Sequence, residues 1–169
     1  MAGGGKFNRL FEPGILGRIK TKNRIVRAAA GTDYVDKEGV LKSKQEVPYF
    51  EALARGGVGL IIVQTSNLVQ PGDKNIPGFK EVTEVAHKYG CPIFAQFSHS
   101  GAWVTRPRDP SQVVSASAIP LDELKERGPD FPIVPRELTI PEIKDIVGKL
   151  ASAAQRAQKA GFDGIQINA

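Results

Sequence analysis

Four segments of the chain share one design, an apolar run with a change of character at its C-terminal end: Asn23-Arg-Ile-Val-Arg-Ala-Ala-Ala30, Gly59-Leu-Ile-Ile-Val-Gln-Thr65, Cys91-Pro-Ile-Phe-Ala-Gln-Phe-Ser-His-Ser-Gly101 and Phe162-Asp-Gly-Ile-Gln-Ile-Asn168. Apolar, β-branched runs of this length predict parallel strands covered on both faces. Between them, apolar residues recur at helical spacing. Residues 42–55 place Val47, Phe50 and Leu53 or Ala54 on one stripe and stop at Gly56-Gly57, the pattern of an amphipathic helix with a glycine exit. A second helix is expected over 78–89, ending at Gly90. A third opens with the capping box Thr139-Ile-Pro-Glu142, continues through Ile143, Val147, Leu150, Ala154 and Ala157, and closes at Ala160-Gly161; proline is tolerated in such a first turn.

The connections carry their own signals. Pro13-Gly14 and Gly17 break the N-terminal stretch, and the alternation that follows predicts a short hairpin capping the bottom of the fold. In Gly31-Thr32-Asp33-Tyr34 the glycine and its small neighbours let a ligand approach the backbone. Residues 66–77 read as a polar loop. Residues 98–136 are rich in Pro and Gly without a period, and loops this long are usually lids or binding loops. Trp103 within it is read as an anchor packing the loop onto the domain, or as a substrate contact.

The order is therefore β-α-β-α-β-α-β, with about 33 residues between the first strands, the spacing of right-handed crossover units. This predicts an α/β protein: the first half of a (β/α)8 TIM-type barrel, with four parallel strands, three helices and the N-terminal hairpin. A full barrel takes about 250 residues. The alternative is a small doubly wound sheet, but no Gly-x-Gly-x-x-Gly follows any strand, and Gly3-Gly-Gly5 and Gly56-Gly57-Val-Gly59 sit at a terminus and before a strand. In parallel α/β folds ligands sit at the carboxyl ends of the strands. Gln64-Thr65, Gln96 and Asn168 should thus face one mouth.

Composition narrows the function classes. With 169 residues, 41% hydrophobic and 24% charged, the chain is expected to form one globular domain and not a disordered segment. The net charge of +5 is interspersed, which gives no case for nucleic acid, and the basic stretch 18–24 suits the solvated face of a hairpin. No apolar run is long enough for a bilayer and Met-Ala-Gly-Gly-Gly-Lys lacks a signal-peptide core, so no membrane role and a cytoplasmic location are expected. Cys91 is the single cysteine; alone it forms no internal disulfide or cluster, and it reads as a small buried apolar residue.

Taken together, Leu10-Phe11-Glu-Pro13, Lys22-Asn23-Arg24-Ile25-Val26, Gly56-Gly57-Val-Gly59-Leu60-Ile61-Ile62, Gln96-Phe-Ser-His99-Ser-Gly101 and Ala160-Gly161-Phe162-Asp163-Gly164 closely resemble the Old Yellow Enzyme family. These are flavin-dependent ene-reductases, a group that includes the barrel domain of 2,4-dienoyl-CoA and 2-enoate reductases. The resemblance covers the first half of a family barrel. It implies FMN across the mouth of the barrel, taking hydride from NADH or NADPH and passing it to the β-carbon of an activated alkene such as an enone, enoate or enoyl thioester.

By that resemblance the backbone around Ala28, Ala29, Ala30 and Gly31 lines the flavin, Thr65 lies near its reactive edge, and Gln96 bonds the pyrimidine ring. A neutral amide suits the last task because it both donates and accepts without burying a charge. The first member of the His/His or His/Asn pair that holds the substrate carbonyl in the family falls at Asn168, a departure that puts an amide where the family has an imidazole and supplies no imidazolium charge for an enolate. His99 is expected to brace its loop. The family's proton-donating tyrosine and phosphate-binding loops would lie beyond Ala169. A half-barrel also implies association, as a homodimer or with a C-terminal half; the alternative function is a non-catalytic half-barrel unable to turn over alone.

Overall fold

The computed structural model describes residues 7–104, 109–128 and 134–168; Gly3-Gly-Gly5, Ala169 and parts of the long loop lie outside them. In chain order the elements are β1 (Gly14–Leu16), β2 (Ile19–Thr21), β3 (Val26–Arg27), α1 (Ser43–Arg55), β4 (Leu60–Gln64), α2 (Ser66–Val69), α3 (Ile76–Lys88), β5 (Ile93–Ser98), β6 (Val114–Ser115), β7 (Arg136–Glu137), α4 (Ile140–Lys159) and β8 (Gly164–Asn168), with short 3₁₀ turns between them. Residues through Phe97 and again over Lys149–Asn168 form one compact unit, and Ser98–Gly148 form a second.

The first unit is built on a four-stranded sheet of order β3-β4-β5-β8. The pairing is parallel, with Val26 opposite Leu60 and a β4–β5 register from Ile61↔Ile93 to Gln64↔Gln96. Phe50, Ile61, Val63, Phe79, Val82, Ile93, Ala95, Phe97, Ala153 and Ala157 bury the outer face of this sheet against α1, α3 and α4. Cys91 belongs to this core, as expected, its thiol directed at the Val58 carbonyl at 3.3 Å and pushed up in pKa chiefly by burial.

The antiparallel β1–β2 hairpin turns on Gly17 at φ +59°. Lys22 and Asn23 then tie it to the amino ends of the strands. Lys22 Nζ donates to the Tyr89 carbonyl at 3.2 Å and to Ala54 at 3.5 Å, so one cation serves the C-termini of α3 and α1, where carbonyls are left over. Asn23 Nδ2 donates to the Gly57 carbonyl at 2.7 Å. Only glycine fits at 59, where a Cβ would stand 2.3 Å from the Asn23 carbonyl oxygen.

Three expectations are corrected. The first strand, expected over 24–30, forms ladder pairs only at Val26–Arg27, although β4 continues to Gln64; the Arg27 guanidinium takes both the Ile62 carbonyl on β4 and the Ala30 carbonyl in place of ladder bonds. The loop at 66–77 contains α2, and α3 starts earlier than expected, at Ile76. On α4 the apolar stripe is covered only from Leu150 onward; Ile143 and Val147 stand exposed.

The second unit is held by local means. A two-residue parallel ladder joins β6 and β7, and Ala102 and Val113 form a small core with Val104 and Leu121. Trp103 is 51% exposed, so burial of its ring is not what orders this segment. The expected capping box forms: Thr139 N–H donates to Glu142 Oε2 at 2.8 Å and Glu142 N–H to Thr139 Oγ1 at 3.4 Å. Arg136 adds a bidentate pair to Glu142 at 3.0 and 2.7 Å, and that pairing, with the Thr139 bonds, lowers the Glu142 pKa to about 2.

Candidate functional site

Paired residues of a parallel ladder share a face of the sheet. The Gln64↔Gln96 register therefore puts two carboxamides in one layer at the carboxyl ends of β4 and β5. Gln96 Nε2 donates to Gln166 Oε1 of β8 at 2.8 Å, which adds a third. On the other flank a Cβ at Gly31 would lie 3.1 Å from Gln64 Oε1, so the exposed backbone at 31 abuts the same row. Asn168, two residues past Gln166, shares its face. No charged side chain belongs to this row. Amides that both donate and accept, beside a backbone without a side chain, suit a flat, polar, uncharged ring.

The structure thus brings Gly31, Gln64, Gln96 and Asn168 to one side of the sheet, with Ala28 and Ala30 exposed in the loop beside them. Gln166 was not singled out by sequence, although its spacing from Asn168 on an alternating strand was a usable signal. Thr65 is fully buried, and both its N–H, at 3.0 Å, and its hydroxyl, at 3.1 Å, address the Gln96 carbonyl. Its hydroxyl is committed to fixing the backbone that carries Gln96. His99 braces its loop by accepting the Gly101 N–H at 3.2 Å.

Close packing decides the inner face below the row. A Cβ at Gly164 would meet the Phe94 ring at 2.7 Å, so the glycine lets β8 pass over that ring and brings Gln166 within reach of Gln96.

Arg27 is a second residue that sequence reading did not single out. Its guanidinium donates to the Ile62 carbonyl at 2.9 Å, the Tyr49 hydroxyl at 2.9 Å and the Ala30 carbonyl at 3.4 Å, and lies 5.5 Å from the Tyr49 ring centroid. It clamps the loop that follows β3. A cavity of about 540 Å³ lies elsewhere, at the hairpin beside Gly14, Thr21, Asn23 and Val26, on the side of the sheet where strands begin. Among the described residues no three His, Cys, Asp or Glu side chains cluster to hold a metal ion.

Comparison with known proteins gives a consistent picture. The family described as NADH:flavin oxidoreductase / NADH oxidase matches residues 9–169. An NADH oxidase of Thermoanaerobacter brockii is 36% identical over 96% of this chain and 26% of its own length, and an NADPH dehydrogenase of Listeria monocytogenes is 29% identical over 96% of this chain and 48% of its own. The structure of the old yellow enzyme from Trypanosoma cruzi superposes with a TM-score of 0.75 at 27% identity, covering 96% of this chain and 51% of that one. The chain spans about half the length of the NADPH dehydrogenase and about a quarter of the NADH oxidase.

Proposed function

The chain belongs to the NADH:flavin oxidoreductase / NADH oxidase family, and on that premise we propose that it is the N-terminal part of an FMN-dependent, NAD(P)H-consuming ene-reductase acting on enones, enoates or enoyl thioesters. The observation that carries this reading is the amide row Gln64–Gln96–Gln166 beside the exposed Gly31 backbone. The residues present fit the ring portion of FMN: Gln96 supplies a donor and an acceptor to the pyrimidine edge, the backbone at 28–31 lies against the ring, and Thr65 fixes the strand end from which Gln96 projects. When bound, FMN supplies hydride transfer from NADH or NADPH to the β-carbon of the alkene. Asn168 donates a hydrogen bond to the substrate carbonyl; being neutral, it stabilises developing negative charge less than an imidazolium. The segment 98–136 leaves β5 at this carboxyl end and serves as the active-site-side loop.

Completion of the site is part of the proposal. On the edge strand β8, Ile165 and Ile167 are 43% and 57% exposed, and an apolar edge of this kind is rarely left in water. It is covered by a C-terminal half-barrel or, failing that, by a second copy of the chain. Light scattering behind a sizing column tests this; a monodisperse monomer of 18.2 kDa that unfolds cooperatively and binds no hydrophobic dye would overturn it. Flavin binding is tested by FMN fluorescence quenching. The chain alone is expected to bind weakly, because much of a nucleotide's affinity comes from charge-assisted bonds to phosphate, and saturably at one equivalent once co-expressed with the C-terminal half of the related NADPH dehydrogenase barrel. Failure to bind in the assembled form would reject the flavin reading.

A further inference from the structure

The loop after β3 has little of its own to hold it. Ala28-Ala29-Ala30-Gly31 follow a two-residue strand, and β3 makes no ladder pair beyond Arg27. Two side chains hold it from outside: Arg27, through the Ala30 carbonyl, and Glu46 of α1, whose Oε1 accepts a short hydrogen bond from the Thr32 hydroxyl. Glu46 is an unusual choice for that task. It occupies the buried stripe of α1 with Phe50 and Ala54, it is only 3% exposed, and its Oε2 is buried with no hydrogen-bond partner among the described residues. A lone buried carboxyl oxygen is costly unless it does something. Glu46 lines a cavity of about 120 Å³ together with Gly31, Thr32, Asp33, Tyr34 and Gln64, so it stands directly between α1 and the Gly31 end of the amide row.

We propose that Glu46 is a positioning residue of the strand-end site: acting through the Thr32 hydroxyl, beside the Arg27 clamp on Ala30, it holds the 28–32 backbone in the conformation that receives the ligand, and its free oxygen makes that hold responsive to protonation. That the ligand is a flavin rests on the function proposed above; the hold on the backbone does not.

The sign of the response follows from burial. With the loop seated, desolvation pushes the Glu46 carboxyl up, opposed by the Thr32 bond and by the charge of Arg27. With the loop lifted, water returns and the carboxyl regains its ordinary acidity. The seated loop therefore favours the protonated acid, and raising the pH above the ordinary carboxylate range releases it. The other charged or titratable groups around the cavity are Asp33 and Tyr34 of the loop and Arg27 of β3. From β4 and α3 the cavity receives Gln64 and Phe79, which do not titrate.

Native-state proteolysis reads this directly, because cleavage tracks the population of the open form. Chymotrypsin cutting after Tyr34, within the loop, is compared with cutting after Trp103, in the second unit; the ratio cancels the protease's own pH dependence. Glu46→Ala and Thr32→Val are expected to raise the Tyr34:Trp103 ratio about tenfold, the size of one partly buried hydrogen bond lost. Glu46→Gln keeps an acceptor for Thr32 and carries no charge; it should retain protection and abolish the rise with pH seen in the parent chain. The proposal is overturned if the ratio does not move in Glu46→Ala and Thr32→Val, if Glu46→Gln behaves like Glu46→Ala, or if the pH response survives in Glu46→Gln. FMN titration of the same variants, each co-expressed with the C-terminal half of the related NADPH dehydrogenase barrel, separates the two readings. Tyr34 protection that responds as expected while FMN never binds removes the flavin and leaves the positioning role; FMN affinity that is lost without any change in Tyr34 protection removes the positioning role.

Discussion

Replacing Thr83 by valine tests what holds the α4–β8 corner, and with it the strand that carries Gln166 and Asn168. Thr83 is buried on α3 at 1% exposure. Its hydroxyl lies 2.6 Å from the Ala160 carbonyl, 77 residues away, and 2.9 Å from the carbonyl of Lys80 in its own helix. One proton serves one acceptor well, and the shorter contact is the one between elements. The fit is tight from the other side too, since a Cβ at Gly161, where φ is +88°, would stand 2.8 Å from the same hydroxyl oxygen.

Thr83→Val keeps the volume and removes the donor, leaving the Ala160 carbonyl buried without its partner, at a cost of about 2 kcal/mol. Thr83→Ser keeps the donor and removes one methyl, at about 0.8 kcal/mol. The two mechanisms thus predict opposite rank orders. Urea unfolding followed by circular dichroism should give Val less stable than Ser with unchanged m-values, and Val should melt roughly 4–8 °C below the parent. A Val variant within about 0.5 kcal/mol of the parent, with Ser the weaker of the two, would show that methyl packing and not the hydrogen bond fixes this corner.

Other outcomes follow from the same geometry. In the assembled barrel, Gln96→Leu should weaken FMN binding by about 1–3 kcal/mol by leaving ring atoms unpaired, whereas Asn168→Ala should spare the flavin and slow alkene reduction; loss of flavin from Asn168→Ala and its retention by Gln96→Leu would reverse both assignments. Glu142, held down to about pKa 2 by Arg136 and Thr139, supports the start of α4 above the unfolded carboxylate value, and that support is lost as pH falls toward 2. An acid titration of helicity should show the loss, and Glu142→Gln should flatten it. Gly59→Ala drives a Cβ into the Asn23 backbone and should destabilise by about 1–3 kcal/mol; a melting curve like the parent's would mean that the hairpin shifts freely.

The sequence by itself determined the elements and where they stop, because those are set by short-range physics. Apolar period marks β4, β5 and the inner stripes of α1 and α3. The Thr139–Glu142 box forms as read, and the glycines read as exits, Gly57, Gly90 and Gly161, all take positive φ. Polar strand endings pointed to Gln64, Gln96 and Asn168. What only the tertiary structure decided are relations between distant residues. Gln166 meets Gln96 across 70 positions because β8 lies beside β5 in the sheet and the bare Gly164 passes over the Phe94 ring. Glu46 looks like a solvated helix residue until α1 docks and closes the Gly31 loop over it. The first strand shrinks to two residues although β4 runs on beside it, because the Arg27 guanidinium occupies the Ile62 and Ala30 carbonyls. The stripe of α4 is covered only where core lies opposite it. Periodicity reports which residues share a face; which faces meet, and at what register, depends on packing that no single segment contains.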